Sequence, residues 1–249
     1  MLPNTLTVVW IYPDLLSTYG DQGNVTALAT RARQRGIAVD VIQIRSGQPI
    51  PALADIYVLG GGEDRAQALA AERLRGDTGL RRAVSSDRVV MGVCAGYQLL
   101  GTRFAGHDGK PIAGLGLLDV RSDRAYERAV GELLAVADPA LGLPLITGFE
   151  NHFGTTALGA SARSLAQAVI GSGNGDGSEG AYQNHIIGTY LHGPVLVRNP
   201  ALTDLLLAWA TGRPMAPLDD TWTDRLRSER LRHHGHGEND RREALEGSL

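Results

Sequence analysis

MGVCAGYQLLG, Met91 to Gly101, holds the single cysteine of the chain. An apolar run, DRVVMGVC (87–94), leads into it, and a short helical stretch, AGYQLLG (95–101), leads out. Gly92-Val93-Cys94-Ala95-Gly96 therefore has the form Gly-x-nucleophile-x-Gly at a strand-to-helix turn. Flanking glycines there remove the side chains that would collide with a sharply bent backbone. The turn points Cys94 out of the sheet edge, and unpaired N–H groups at the start of the helix favour its thiolate. The N–H of Ala95 then faces the place where an oxyanion forms. The competing reading of a lone cysteine is a small apolar core residue; the glycine bracket and the strand-to-helix setting favour the nucleophile.

Outward from this turn the pattern repeats. LTVVWIY (6–12), IAVDVIQI (37–44) and DIYVLGGG (55–62) read as strands. Between them lie VTALATRARQR (25–35), a helix with Asn24 as its expected N-cap and Gly36 as its stop, and after them EDRAQALAAERLR (63–75). Strands alternating with helices predict an α/β fold with a mostly parallel, flavodoxin-like central sheet flanked by helices. From about 111 to 183 the helices give way to short glycine-interrupted pieces, LGLLDV (115–120), RAVGELLAV (128–136) and PLITGFENH (144–152). These predict a mixed or antiparallel extension of that sheet. GSGNGDGSEGA (171–181) reads as a surface loop, HIIGTYLHGP (185–194) as a returning strand and NPALTDLLLAWATG (199–212) as a capped helix. The expected domain is 1–212, followed by a polar tail, 213–249, that is a helix and then disorder.

The chain has 249 residues, 43% hydrophobic and 20% charged, with a net charge of −3. Nothing in that balance grips nucleic acid or an anionic membrane surface. One cysteine cannot form an internal disulfide, so a reducing, cytoplasmic setting is expected. The apolar runs fall well short of the ~20 residues of a membrane span, so no direct membrane insertion is expected.

A thiolate that cleaves an amide needs a base that also protonates the leaving nitrogen, and histidine is the usual one. Of the seven, His107 lies in a polar turn and His233, His234 and His236 lie in the tail. His185 opens the returning strand and His192 closes it, at the carboxyl end where parallel sheets place their sites. His192 is the expected base and His152 a wall residue. The Gly60 to Gly62 loop after the third strand offers the second oxyanion donor, with Gly61 at its centre. It lacks the Gly-Lys-Ser/Thr of a phosphate loop. HHGH (233–236) lacks a tetrahedral ligand set, so no metal is expected.

VLGGGEDRAQAL (58–69), GVCAGYQLLG (92–101), GFENH (148–152) and GTYLHGP (188–194) together resemble class I glutamine amidotransferases. The resemblance is to the branch of cobyric acid synthase and of the GatD-type glutaminase subunits of lipid II isoglutaminyl synthase, and runs from about residue 6 to 212. It implies Cys94 as nucleophile, His192 as catalytic histidine and Arg128 as the group that holds the substrate carboxylate. It also places the family's acid at Asp21, in YGDQGN, where a helix-capping turn residue is the equal alternative. Triad members of the wider family carry glutamate two residues after the histidine, whereas here His192-Gly193-Pro194 has none. Either a dyad suffices, or Asp21 or Glu150 orients the ring.

The resemblance further implies hydrolysis of L-glutamine to glutamate and ammonia, with no cofactor in this chain. ATP and Mg belong to a Mur-ligase-like synthetase subunit, MurT, that forms a heterodimer with it and amidates the D-glutamate of lipid II in peptidoglycan synthesis. Contact with the inner membrane is then peripheral and through the complex. Two alternatives stand beside this: a cobyrinate-type amidation, and a catalytically idle regulatory homologue.

Overall fold

Alternation along the first strand sets up the two faces of the core. In the computed structural model, which describes residues 5–233, β1 (Thr5–Ile11) sends Leu6, Val8 and Trp10 to one face and Val9 and Ile11 to the other. That is the two-residue period of extended backbone. β3 (Ile56–Leu59) and β4 (Val89–Val93) follow suit, with Val58 and Met91 joining the first set and Tyr57, Leu59 and Val90 the second. Both strands are buried along their whole length, so they are apolar throughout.

Helices cover each face. α1 (Gln22–Gln34), α5 (Val195–Arg198) and α6 (Pro200–Thr211) supply Val25, Leu28, Leu196, Leu202 and Leu206 to the first. On the second lie α2 (Asp64–Gly76), α3 (Gly79–Ser85) and α4 (Ala95–Leu100), with Ala70, Leu74, Leu80 and Leu99. Together with β2 (Ala38–Ile44), β11 (Ala181–Gln183) and β12 (Ile186–Thr189), the sheet order is β2-β1-β3-β4-β12-β11, parallel except for β11 against β12. The chain winds one way from β1 to β2 and the other way from β1 to β3. Such a reversal opens a crevice at the carboxyl ends of the strands.

The expected extension of this sheet is instead a second, separate sheet. β5 (Arg103–Ala105), β6 (Pro111–Ala113), β7 (Val120–Ala137), β8 (Ile146–Leu158), β9 (Ala166–Ile170) and β10 (Ser178–Glu179) pair in the order β10-β9-β7-β5-β6, with β8 also on β7. RAVGELLAV and PLITGFENH belong to two long strands, whereas LGLLDV is a connection that contributes only Val120 to β7. The exposed faces of those two strands carry charge and glycine, which breaks up the apolar pattern without breaking the strand. Between Arg124 and Ala129 the β7–β8 register slips, a bulge that redirects the side chains around it.

Two local expectations are also corrected. Asn24 lies inside α1 and is not its N-cap; its Oδ1 accepts from the N–H of Leu196 at 3.0 Å, tying α1 to α5. The glycine-rich loop is only partly a surface loop: Gly171, Ser172, Gly175, Asp176 and Gly177 are exposed, whereas Gly173, Asn174, Ser178 and Glu179 are buried. The N–H groups of Ser172 and Gly173 donate to Glu150, and the Asn174 amide donates to Ser178 Oγ and the Gly180 carbonyl. The chain divides at Met215, and in the unit from Ala216 α7 (Thr221–His233) is helical. The expected disorder after it, with His234 and His236, lies outside the described residues. No helix among the described residues is long and apolar enough to cross a membrane.

Glu179 is fully buried. Its Oε1 accepts from Thr189 Oγ1 and from the N–H of Tyr190, and its Oε2 has no partner. Burial, with nearby Glu150 adding, pushes the carboxyl up to about 7 against those hydrogen bonds. The folded chain then holds a proton that the unfolded chain has released. Its contribution to stability is full below pH 4.5 and is lost as pH rises through about 7. Glu179→Gln keeps the acceptor and removes the titration. The melting temperature of the variant relative to the parent, followed by circular dichroism, should rise from about pH 5 to about pH 8; a pH-independent difference contradicts this.

Candidate active site

Connections leaving the carboxyl ends of β1, β3, β4 and β12 meet at the crevice. After β4 comes Cys94, held at φ 52°, ψ −104°, a conformation that costs a residue bearing a Cβ about 1–3 kcal/mol. Its N–H donates to the Thr189 carbonyl at 2.8 Å, which moors the turn to β12. The glycine bracket is a matter of space. A Cβ at Gly92 would lie 2.7 Å from the Gly96 carbonyl, and one at Gly96 2.8 Å from Cβ of Leu59.

His192 follows β12 by three residues and is wholly buried, as is the Asp21 side chain. Its Nδ1 lies 3.0 Å from Asp21 Oδ1, while Asp21 Oδ2 accepts from the N–H of Gly61 at 2.7 Å. Gly61 must be small, because a Cβ there would lie 2.8 Å from His192 Cε1. Burial alone would push the imidazole down; hydrogen bonding and charge from Asp21 and Cys94 outweigh it and raise the ring to about 10. Nε2 itself has no partner in hydrogen-bond geometry, so the effect of Cys94 on it is that of a close, imperfectly aligned neighbour. Both neighbours favour the charged form of the ring, with Nδ1 held against Asp21 Oδ1.

A cavity of about 460 Å³ opens in front, lined by Tyr19, Gly62, Cys94, Ala95, Arg128 and His152 among others. Gly61, expected as an oxyanion donor, gives its N–H to Asp21; Gly62 is the loop residue that lines the cavity beside Ala95. Arg128 stands at the mouth on β7. Its Nε donates to Asn151 Oδ1 at 2.7 Å and its Nη2 to Tyr19 Oη at 3.3 Å. Glu150 does not meet His192: it pairs with His152 Nε2 at 3.4 Å and accepts from Ser172 and Gly173. Burial opposes its ionisation, but these donors hold its carboxyl below the usual range. His152 stacks on Tyr190, with ring centroids 3.8 Å apart.

Several lining residues escaped the sequence reading. Gln98 follows Cys94 by one helical turn, and bridges Gln67 and Tyr190 through hydrogen bonds of 2.7 and 3.1 Å. That spacing was a usable signal. Arg124 and Asn151 had none, because only the pairing of β7 with β8 brings them here. His107 and His185 pair with Asp64 and Asp87 and take no part in the Asp21–His192 contact.

Replacing Asp21 with Asn leaves a buried ring with no charge to balance it. In a Cys94→Ala background, where the imidazole titrates without the thiol, the His192 midpoint should stand above the ordinary 6.5 with Asp21 present and fall to or below it in Asp21→Asn. Proton–carbon NMR of the ring measures both; equal midpoints contradict the assignment.

Comparison with known proteins gives the arrangement a family. Residues 7–200 match the CobB/CobQ-like glutamine amidotransferase domain. The chain is 37% identical, over 86% of its length and 88% of the relative's, to the lipid II isoglutaminyl synthase (glutamine-hydrolyzing) subunit GatD of Staphylococcus aureus. It is 32% identical to the subunit of the same name from Streptococcus pneumoniae, over 84% and 81% of the two chains. With a cobyric acid synthase from Sphingopyxis alaskensis it shares 39% identity, over 68% of this chain and 34% of that one. A glutamine amidotransferase crystal structure from Thermotoga maritima superposes with a TM-score of 0.52 at 15% identity, covering 96% of this chain and 91% of that one, a likeness of fold. With most of its length matched in sequence and its fold shared, the chain belongs to the CobB/CobQ-like glutamine amidotransferases.

Proposed function

We propose that the chain is the glutaminase subunit of a two-protein enzyme that amidates the D-glutamate of lipid II. The observation that carries the chemistry is a strained Cys94 beside an imidazole whose Nδ1 is held against Asp21. Arg128, at the cavity mouth, receives the α-carboxylate of L-glutamine as a charge-assisted pair. The Cys94 sulfur attacks the side-chain amide carbon, a C–S bond forms, and the carbonyl electrons move onto oxygen. The N–H groups of Ala95 and Gly62 face that oxyanion. As the intermediate collapses, the C–N bond breaks and Nε2 of His192 gives its proton to the departing nitrogen, releasing ammonia. The now neutral ring takes a proton from water as its oxygen attacks the thioester; the C–S bond breaks, glutamate leaves, and thiolate and imidazolium are restored.

Similarity supports the lipid II assignment: the two GatD subunits align over 88% and 81% of their own length. On this reading ATP and Mg act in a separate Mur-ligase-like synthetase, which activates the acceptor carboxylate for the ammonia made here. The complex brings this chain to the membrane face where lipid II resides.

Cys94→Ala should lower ammonia release from L-glutamine by about a thousandfold or more, assayed on the chain alone and co-purified with the Mur-ligase-like protein of its source. Arg128→Ala should raise KM about ten- to hundredfold with a smaller change in kcat. Undiminished turnover in Cys94→Ala contradicts the thioester route.

A further inference from the structure

His192 is wholly buried although it must act in the cavity. Tyr19 lines that cavity and also lies against the imidazole, the two rings T-shaped with centroids 5.0 Å apart. Tyr19 is 44% exposed, so burial of its own surface does not account for a tyrosine here. Nor does the backbone, since Tyr19 sits at φ 54°, ψ 27° in the left-handed region, where asparagine or glycine is at ease and an aromatic residue is strained. The turn that carries it is fixed at both ends: the N–H of Thr18 donates to the Gly61 carbonyl at 3.1 Å, and the N–H of Asp21 to the Thr18 carbonyl at 3.2 Å. The same loop thus presents the acid to one nitrogen of His192 and an aromatic ring to the imidazole. At the outer end, the Tyr19 hydroxyl accepts from Arg128 Nη2.

We infer that Tyr19 is a positioning residue that joins the substrate's carboxylate anchor to the proton donor, its ring covering the His192 imidazolium and its hydroxyl orienting Arg128. A ring packed against the imidazole at this distance holds it in place and keeps water from that side. The hydroxyl sets the guanidinium before glutamine arrives. The two functions reside in different atoms of one side chain, so they separate under substitution. The inference rests on the glutaminase reading for its kinetic consequences, while the ring contact can be measured without turnover.

Tyr19→Phe keeps the ring and loses the hydroxyl; it should raise KM for L-glutamine about three- to tenfold while kcat changes by less than about twofold. Tyr19→Asn removes the ring and suits the left-handed backbone; it should lower kcat about tenfold or more without lowering the melting temperature. A merely structural tyrosine predicts the opposite pairing, with stability and activity falling together in Tyr19→Asn and no split between KM and kcat in Tyr19→Phe. Independently of turnover, the Cε1–H resonance of His192 in a Cys94→Ala background should move in Tyr19→Asn and stay in Tyr19→Phe. If the unsubstituted chain hydrolyses glutamine and both Tyr19 variants match it, this inference fails alone. If the unsubstituted chain is inactive with its partner present, the glutaminase reading fails, and the resonance still decides whether Tyr19 covers the ring: an unmoved signal in Tyr19→Asn overturns it.

Discussion

A single buried carboxylate, Asp21, draws the site together. It lies on the loop after β1, accepts a hydrogen bond from the Gly61 N–H of the loop after β3, and faces the imidazole that follows β12. The Asp21 and His192 side chains are out of contact with water, and an uncompensated buried charge costs about 3–5 kcal/mol. The negative charge on Asp21 and the positive charge on His192 therefore require each other. Gly61 is small because the imidazole passes over it, and the β1 loop closes tightly because it must present Asp21 there. The geometry is available only where the sheet order brings the ends of β1, β3, β4 and β12 to one edge.

The second sheet completes what the parallel sheet begins. β7 and β8 carry Arg128, Asn151 and His152 to the cavity, and backbone hydrogen bonds between Phe149 and His192, 3.0 and 2.8 Å, fasten β8 to the residue that the first sheet positions. One element thus supplies reactive groups and the other supplies the mouth. Two non-glycine residues in positive-φ conformations, Cys94 and Tyr19, line this one cavity. Strained backbone of this kind persists only when the surroundings impose it, and it clusters where orientation matters more than stability.

Strands β3 and β4 were legible because they are buried on both faces and so read as unbroken apolar runs. The Cys94 turn was legible for a different reason, since both glycines are demanded by sterics, Gly92 by the Gly96 carbonyl nearby and Gly96 by Leu59 of β3. What could not be read depended on contacts between distant segments. Asp21 and Glu150 were equal candidates to face His192, and nothing local distinguishes a carboxylate that meets an imidazole 171 residues away from one that meets His152 two residues on. The long β7 and β8 were hidden by polar residues on their exposed faces. The glycine-rich segment was only half read, because its composition says surface, whereas Glu150 and Tyr97 supply its buried part with partners from elsewhere in the chain.

The central claim is that the Cys94 sulfur, with Asp21-held His192 beside it, attacks the side-chain carbonyl end of glutamine. Its most direct test is intact-mass and peptide-mapping mass spectrometry after exposure to a diazoketone analogue of L-glutamine, whose diazo carbon, once protonated, alkylates a reactive thiolate with loss of dinitrogen. The account predicts one adduct per chain, located on Cys94, formed far more slowly in His192→Ala and blocked by excess L-glutamine. An unlabelled chain, or a label that maps away from Cys94, would contradict it.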